Sequence, residues 1–211
     1  MKKVFLYILV CCLTTIGVAQ ADMITVHYTG VAPGEEVNIK APVIPYEGGV
    51  LAGMYNFDIL GSDAFAGSYK GYCVDPQYEQ DYFPANIIAV TDGSQYEGAA
   101  YLLSKYYADT ISSNQKAAQV QLAIWELVWD FGGGYNLGDG NFQTGSYTSE
   151  VNALITEATG ALAGFTPSGQ YVVKNDTAQD FMFQQVPEPT TILLLGLGLI
   201  GISGIRRKFS N

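Results

Sequence analysis

The sequence predicts an α+β fold. Its body is a β-sheet or barrel-like unit with an inserted helical subdomain, and a single transmembrane helix is expected at the C-terminal end. Three observations predict this. Strand-like alternation fills residues 23–60 and returns at 170–174 and 179–183, the period of two that marks a half-buried strand. Between about residues 97 and 159 the apolar residues move to helical spacing. After Pro187-Glu188-Pro189 an uncharged apolar run ends in Arg206-Arg207-Lys208, and a short apolar span with a basic cluster suits a membrane helix whose basic end stays cytoplasmic.

Residues 1–21 read as a secretory signal. Lys2 and Lys3 form a positive start, residues 4–12 an apolar centre, and Ala19-Gln20-Ala21 a small-x-small cleavage site, so that the mature chain begins at Asp22. The competing reading, an uncleaved membrane helix, fits less well because the run is short. The first strand opens with Ile24, Val26 and Tyr28 alternating with Thr25, His27 and Thr29. Pro33-Gly34 reads as a turn, Gly48-Gly49 as a break, and residues 50–59 as a further strand. Residues 69–75 form a strand carrying Cys73, which Pro76 ends. A looser polar stretch follows to about Asn86, then an apolar run to Val90 and a turn at Asp92-Gly93.

Residues 97–107 form the first helix. Ser113 caps the second, over residues 115–129, with Ala117, Val120, Gln121, Ile124 and Val128 on one face and Trp125 beside it. Gln121 therefore points inward, where an unpaired amide costs about 1–3 kcal/mol. Gly132-Gly133-Gly134 ends this region, residues 136–146 are a glycine-rich loop, and Ser149 caps a third helix over residues 150–159. The domain organisation is thus 1–21 signal, 22–186 body and 187–211 tail.

Charge narrows the function classes. Five of the ten cations lie at the two ends, and the five remaining lysines face about twenty carboxylates. An acidic body disfavours nucleic acid, whose phosphates demand a basic face. His27, the one histidine, reads as a solvent-face strand residue, and no ligand set for a metal is visible. No cofactor is expected. A cysteine hydrolase needs a base beside the thiol, and nothing places His27 there. The many tyrosines would permit carbohydrate binding, but on strands they read as packing residues. Gly196-x-Gly198-x-x-Gly201 matches a dinucleotide fingerprint in letters only, since no strand precedes it. Cys11 and Cys12 fall in the signal, so Cys73 is the one thiol of the mature chain. It is either an inert buried residue or a reactive one.

Two resemblances sharpen these readings. The tail, with Val186-Pro187-Glu188-Pro189, an apolar run and Arg206-Arg207-Lys208, resembles the PEP-CTERM sorting signal over about the last 25 residues. That resemblance implies a Gram-negative bacterium and an exosortase-type processing enzyme. It also implies transient anchoring in the inner membrane by the C-terminal helix, cleavage near the Pro-Glu-Pro, and release to the cell surface or extracellular matrix.

The body resembles the Cys–Gln thioester domains of bacterial surface adhesins. Tyr72-Cys73-Val74-Asp75 looks like their cysteine block. Gln121-Leu122-Ala123-Ile124-Trp125 looks like their Thr-Gln-x-Ala-Ile-Trp block, with Val120 in the place of the threonine. Ala178-Gln179-Asp180-Phe181-Met182 is a looser counterpart of their C-terminal glutamine strand. The resemblance implies an internal thioester from Cys73 to a glutamine, and covalent attachment to an amine on a surface or matrix target. Such a protein acts once and is not a turnover enzyme. Gln179 is the preferred acyl donor, because facing side chains on adjacent strands lie about 5 Å apart, with Gln121 the alternative. Tyr72, Asp75, Gln121, Ala123 and Trp125 are then supporting residues. The other reading of the body is a passive envelope or matrix protein with an inert Cys73.

Overall fold

The computed structural model describes residues 23–61, 64–75 and 80–185. The expected signal, tail and transmembrane helix lie outside these residues. Among the described residues no helix is long and apolar enough to cross a membrane.

Among the described residues seven strands and three α-helices follow in the order β1 (Ile24–Ala41), β2 (Tyr46–Leu60), β3 (Gly67–Cys73), β4 (Tyr82–Ala89), α1 (Glu97–Thr110), α2 (Asn114–Trp129), β5 (Gln143–Thr144), α3 (Thr148–Ala161), β6 (Gln170–Lys174) and β7 (Phe181–Gln184). All strand pairings are antiparallel. The sheet runs β2-β3-β7-β6-β4-β1-β5, and β1 also pairs with β2. Residues 25–27 of β1 bond to β2 on one side and β4 on the other, so six strands close into a ring. The ring hides its strand edges. The helices are inserted between β4 and β6, as the change of period implies.

Several local expectations are corrected. Pro33-Gly34 makes no turn: β1 runs through it, with shifts of register near Gly30 and Gly34 taking up the irregularity. Gly48-Gly49 likewise lies inside β2, and the chain reverses at residues 42–45. In both places a long partner strand supplies hydrogen bonds that outweigh the local preference of Pro and Gly for turns. The polar stretch before Asn86 is already strand from Tyr82, where residues 82–85 pair with β1 and residues 86–89 go on to pair with β6. The third helix begins at Thr148 after Tyr147, a residue with φ of 52°, and not at a Ser149 cap.

The second helix matches its reading closely. Ser113 Oγ accepts the Lys116 amide at 3.2 Å and so caps it. Residues 117–128 are buried on every side, because α2 lies between α1, α3 and strands β1 to β3. A helix walled in this way tolerates polar side chains only where each has a partner. Phe181 centres the aromatic core, with ring centroids 5.1 Å from Phe57, 5.4 Å from Tyr55 and 5.9 Å from Tyr28. These contacts bind β7 to the N-terminal strands and set the register on which the site depends.

Candidate functional site around Cys73

Cys73 ends β3, fully buried and unpaired with another cysteine. Gly71, two residues earlier, brings β3 onto β7: a Cβ there would stand 2.0 Å from the Met182 carbonyl oxygen. In the register Cys73 opposes Phe181, and the ladder continues with the Val74 amide donating to Asp180 O at 3.0 Å. Antiparallel residues bond alternately to one neighbour and the other. The backbone N–H and C=O of Cys73 therefore point away from β7, toward the side of β2. Pairing with β2, however, ends at Gly71.

Gln121 takes the place of the missing strand. Its Oε1 accepts the Cys73 amide at 3.0 Å and its Nε2 donates to the Cys73 carbonyl at 2.8 Å. The inward-facing amide expected from helix periodicity thus has both ends occupied by backbone. Its side chain is held against the main chain of Cys73 and not against the sulfur.

Gln179 meets the sulfur. Its Nε2 donates to Cys73 Sγ at 2.8 Å, a close approach for an atom as large as sulfur, and its Oε1 is buried without a hydrogen-bond partner. The strand expected at residues 179–183 begins at Phe181, so Gln179 stands in the turn just before it. By register it would oppose Asp75, which makes it the diagonal neighbour of Cys73, a position still within reach of a long side chain.

Two further groups touch Sγ. Trp125 Nε1 donates to it at 3.3 Å, and the thiol donates to the Asp75 carbonyl at 2.9 Å. Burial pushes the thiol pKa up to about 12, against the lowering effect of the Trp125, Asp75 and Gln179 hydrogen bonds. At neutral pH Cys73 is therefore a protonated thiol. Tyr72 and Ala123 are fully buried beside this centre in sequence, and burial raises the Tyr72 phenol. The sorting residues Pro187, Glu188, Pro189, Arg206 and Arg207 lie outside the described residues.

Three contributors were not singled out in the sequence. Trp129 Nε1 donates to Val74 O at 3.2 Å. Its ring stands 5.7 Å from Trp125, and Phe142 closes the group at 5.8 Å and 5.5 Å from the two indoles. The four-residue spacing of Trp125 and Trp129 is the signal that would have found the pair. Phe142 comes from the glycine-rich loop, which Asp130 holds by accepting the amides of Asn141 and Phe142 at 2.7 and 3.0 Å. Asp180, the third, is a carboxylate with no exposure, paired with Lys174 at 3.0 Å.

His27 is engaged elsewhere, 3.4 Å from Asp58 and stacked at 4.2 Å on Tyr82. Among the described residues no three His, Cys, Asp or Glu side chains stand together as metal ligands.

A family model described as the PEP-CTERM protein-sorting motif matches residues 185–208. The motif marks the chain for export and sorting by an exosortase-type system, which is thereby its processing partner. No curated protein matches the chain, and no solved structure does.

Proposed function

We propose that the exported body forms an internal thioester between Cys73 and Gln179, and that this bond attaches the protein covalently to an amine on a surface or matrix target. The observation that carries the reading is the 2.8 Å approach of the Gln179 amide to Cys73 Sγ, inside a site that fixes Cys73 from all sides. Sγ adds to Cδ of Gln179, the C–N bond breaks, and the nitrogen leaves as ammonia with the thiol proton. Proximity of this kind replaces a collision by a held geometry, which is worth several kcal/mol of barrier.

The bond then awaits a nucleophile. An amine of the target attacks Cδ, the C–S bond breaks, and the sulfur takes a proton from the incoming nitrogen. Trp125 N–H supports the sulfur as charge gathers on it. The high thiol pKa left by burial makes the returning proton hold firmly. The product is an amide between Gln179 and the target, and the reaction runs once per molecule. In this reading Gln121, the alternative donor, takes a supporting role; the hydrogen bonds from both ends of its amide to the Cys73 main chain favour that assignment.

Burial of Cys73 also suits the second reading, an inert cysteine in a passive envelope or matrix protein. Intact mass separates the two. With the thioester, the purified protein is lighter than its sequence mass by one ammonia, and methylamine raises it to one methylene above that mass. Cys73→Ala abolishes the deficit, and peptide mapping places the methylamide on Gln179. A mass equal to the sequence mass, with one titratable thiol after unfolding, refutes the thioester and leaves the passive reading.

A further inference from the structure

Gln179 lies in a turn that is far more tightly built than a link between two strands requires. Asn175 Oδ1 accepts the amides of Thr177 and Ala178 at 2.6 and 2.8 Å, and Asn175 Nδ2 donates to the Pro84 carbonyl on β4. Gln80 Nε2 donates to Thr177 O at 2.8 Å. At the end of the turn Asp180 takes the Asn175 amide on Oδ1 at 2.7 Å and Lys174 Nζ on Oδ2 at 3.0 Å. Its backbone carbonyl meanwhile holds Val74, the residue after the cysteine, at 3.0 Å.

The Asp180 side chain is 1% exposed and its lysine partner 45% exposed. Such a pair is a poor device for stability alone. Removing a carboxylate from water is costly, and an apolar side chain of similar volume often serves as well or better. Burial raises the Asp180 pKa, and the Asn175 and Lys174 contacts lower it. What the carboxylate does accomplish is geometric. It ties the start of the turn at Lys174 and Asn175 to its end, one residue after Gln179, while the same residue's main chain is bonded to the Cys73 strand.

We infer that Asp180, clamped to Lys174 and Asn175, is a positioning residue that holds the Gln179 amide carbon within reach of Cys73 Sγ. This inference rests on the thioester reading above. Asp180 touches neither reacting atom; it acts through the turn. A displacement of about 1 Å at a reacting centre slows a reaction on the order of a hundredfold, so loosening the turn should act on the rate of bond formation more than on the fold.

The experiment follows thioester closure in the purified exported protein. Ammonium at alkaline pH returns the bond to free Cys73 and Gln179. The ammonium is then removed and the reappearance of the ammonia mass deficit is timed. Wild type, Asp180→Asn, Asp180→Ala and Lys174→Ala are compared at a temperature where circular dichroism and thermal melts show all four folded. Asp180→Asn keeps an acceptor for the Asn175 amide, so it should close faster than Asp180→Ala. The alanine variant should be slower than wild type by about tenfold or more, and Lys174→Ala should fall between. A role confined to stability would lower melting temperatures and leave these closure rates equal. Equal rates in a closing wild type overturn the inference and leave the thioester standing. Absence of any deficit in wild type overturns both.

Discussion

Gln121→Met is the substitution that most directly tests how the site is held. Methionine matches glutamine in length and keeps the volume of the packed helix face, but it removes both hydrogen bonds to Cys73. The Cys73 amide and carbonyl are buried and have no strand beside them, since β2 stops pairing at Gly71. Each orphaned group costs about 1–3 kcal/mol. Partial relaxation of the strand end recovers some of this, so the expected loss is about 2–4 kcal/mol. The measurement is urea unfolding in a Cys73→Ala background, so that no covalent bond between β3 and the Gln179 turn contributes to the difference. The midpoint should fall with the slope unchanged. Gln121→Glu should be as damaging, because it keeps the acceptor for the Cys73 amide but sets an oxygen against the Cys73 carbonyl, where Nε2 now donates at 2.8 Å. A Gln121→Met variant within about 0.5 kcal/mol of its parent, the range of ordinary surface changes, would refute the idea that this side chain completes the sheet.

Gly71→Ala should both destabilise the body by about 1–3 kcal/mol and suppress the ammonia mass deficit, because its Cβ would meet the Met182 carbonyl at 2.0 Å and push β3 off β7; thermal melts and intact mass check the two effects. Glu126 is fully buried with one carboxylate oxygen unpartnered, and burial together with nearby Asp130 raises its pKa from 4.5 to about 7. Its neutral form is favoured in the fold, so the associated stability is complete below pH 4.5 and is lost as pH rises through 7, by on the order of 3 kcal/mol. Glu126→Gln should flatten that part of a stability–pH curve measured by urea unfolding. In the free-thiol form, Cys73 keeps its proton in the fold up to about pH 12 against 9.0 without burial. Stability relative to Cys73→Ala should therefore fall above pH 9, with a slope approaching about 1.4 kcal/mol per pH unit; parallel curves for the two proteins would contradict the buried-thiol geometry.

Features that depend on neighbours along the chain were legible from residues alone. The second helix is an example: Ser113 caps it where expected, and helix periodicity turned Gln121 inward. The strand at residues 170–174 and the change of period at residue 97 are others. The sorting tail was legible for a related reason, since a proline-bounded apolar run ending in arginines carries its signal in composition and order. Where two strands meet over many residues, the local rules gave way. Pro33-Gly34 and Gly48-Gly49 look like turns, yet long-range pairing absorbs both pairs into β1 and β2.

Residue order alone singled out the candidates for the chemistry: a lone thiol in an aromatic block, an inward glutamine, and a second glutamine near the end of the body. Which glutamine faces which atom of Cys73 is a matter of the assembled fold. Gln121 lies 48 positions from Cys73 and Gln179 lies 106, so no local period relates them. The closing of the strand ring decides it, by ending the β2 pairing at Gly71 and setting Cys73 opposite Phe181. One glutamine is left to the vacant main-chain groups and the other to the sulfur. Asp180 gains its place in the same way, because a partner across a sheet is chosen by register, and register is a property of the assembled fold; Trp129 and Phe142 gain theirs where the end of α2 and the glycine-rich loop meet beside β3.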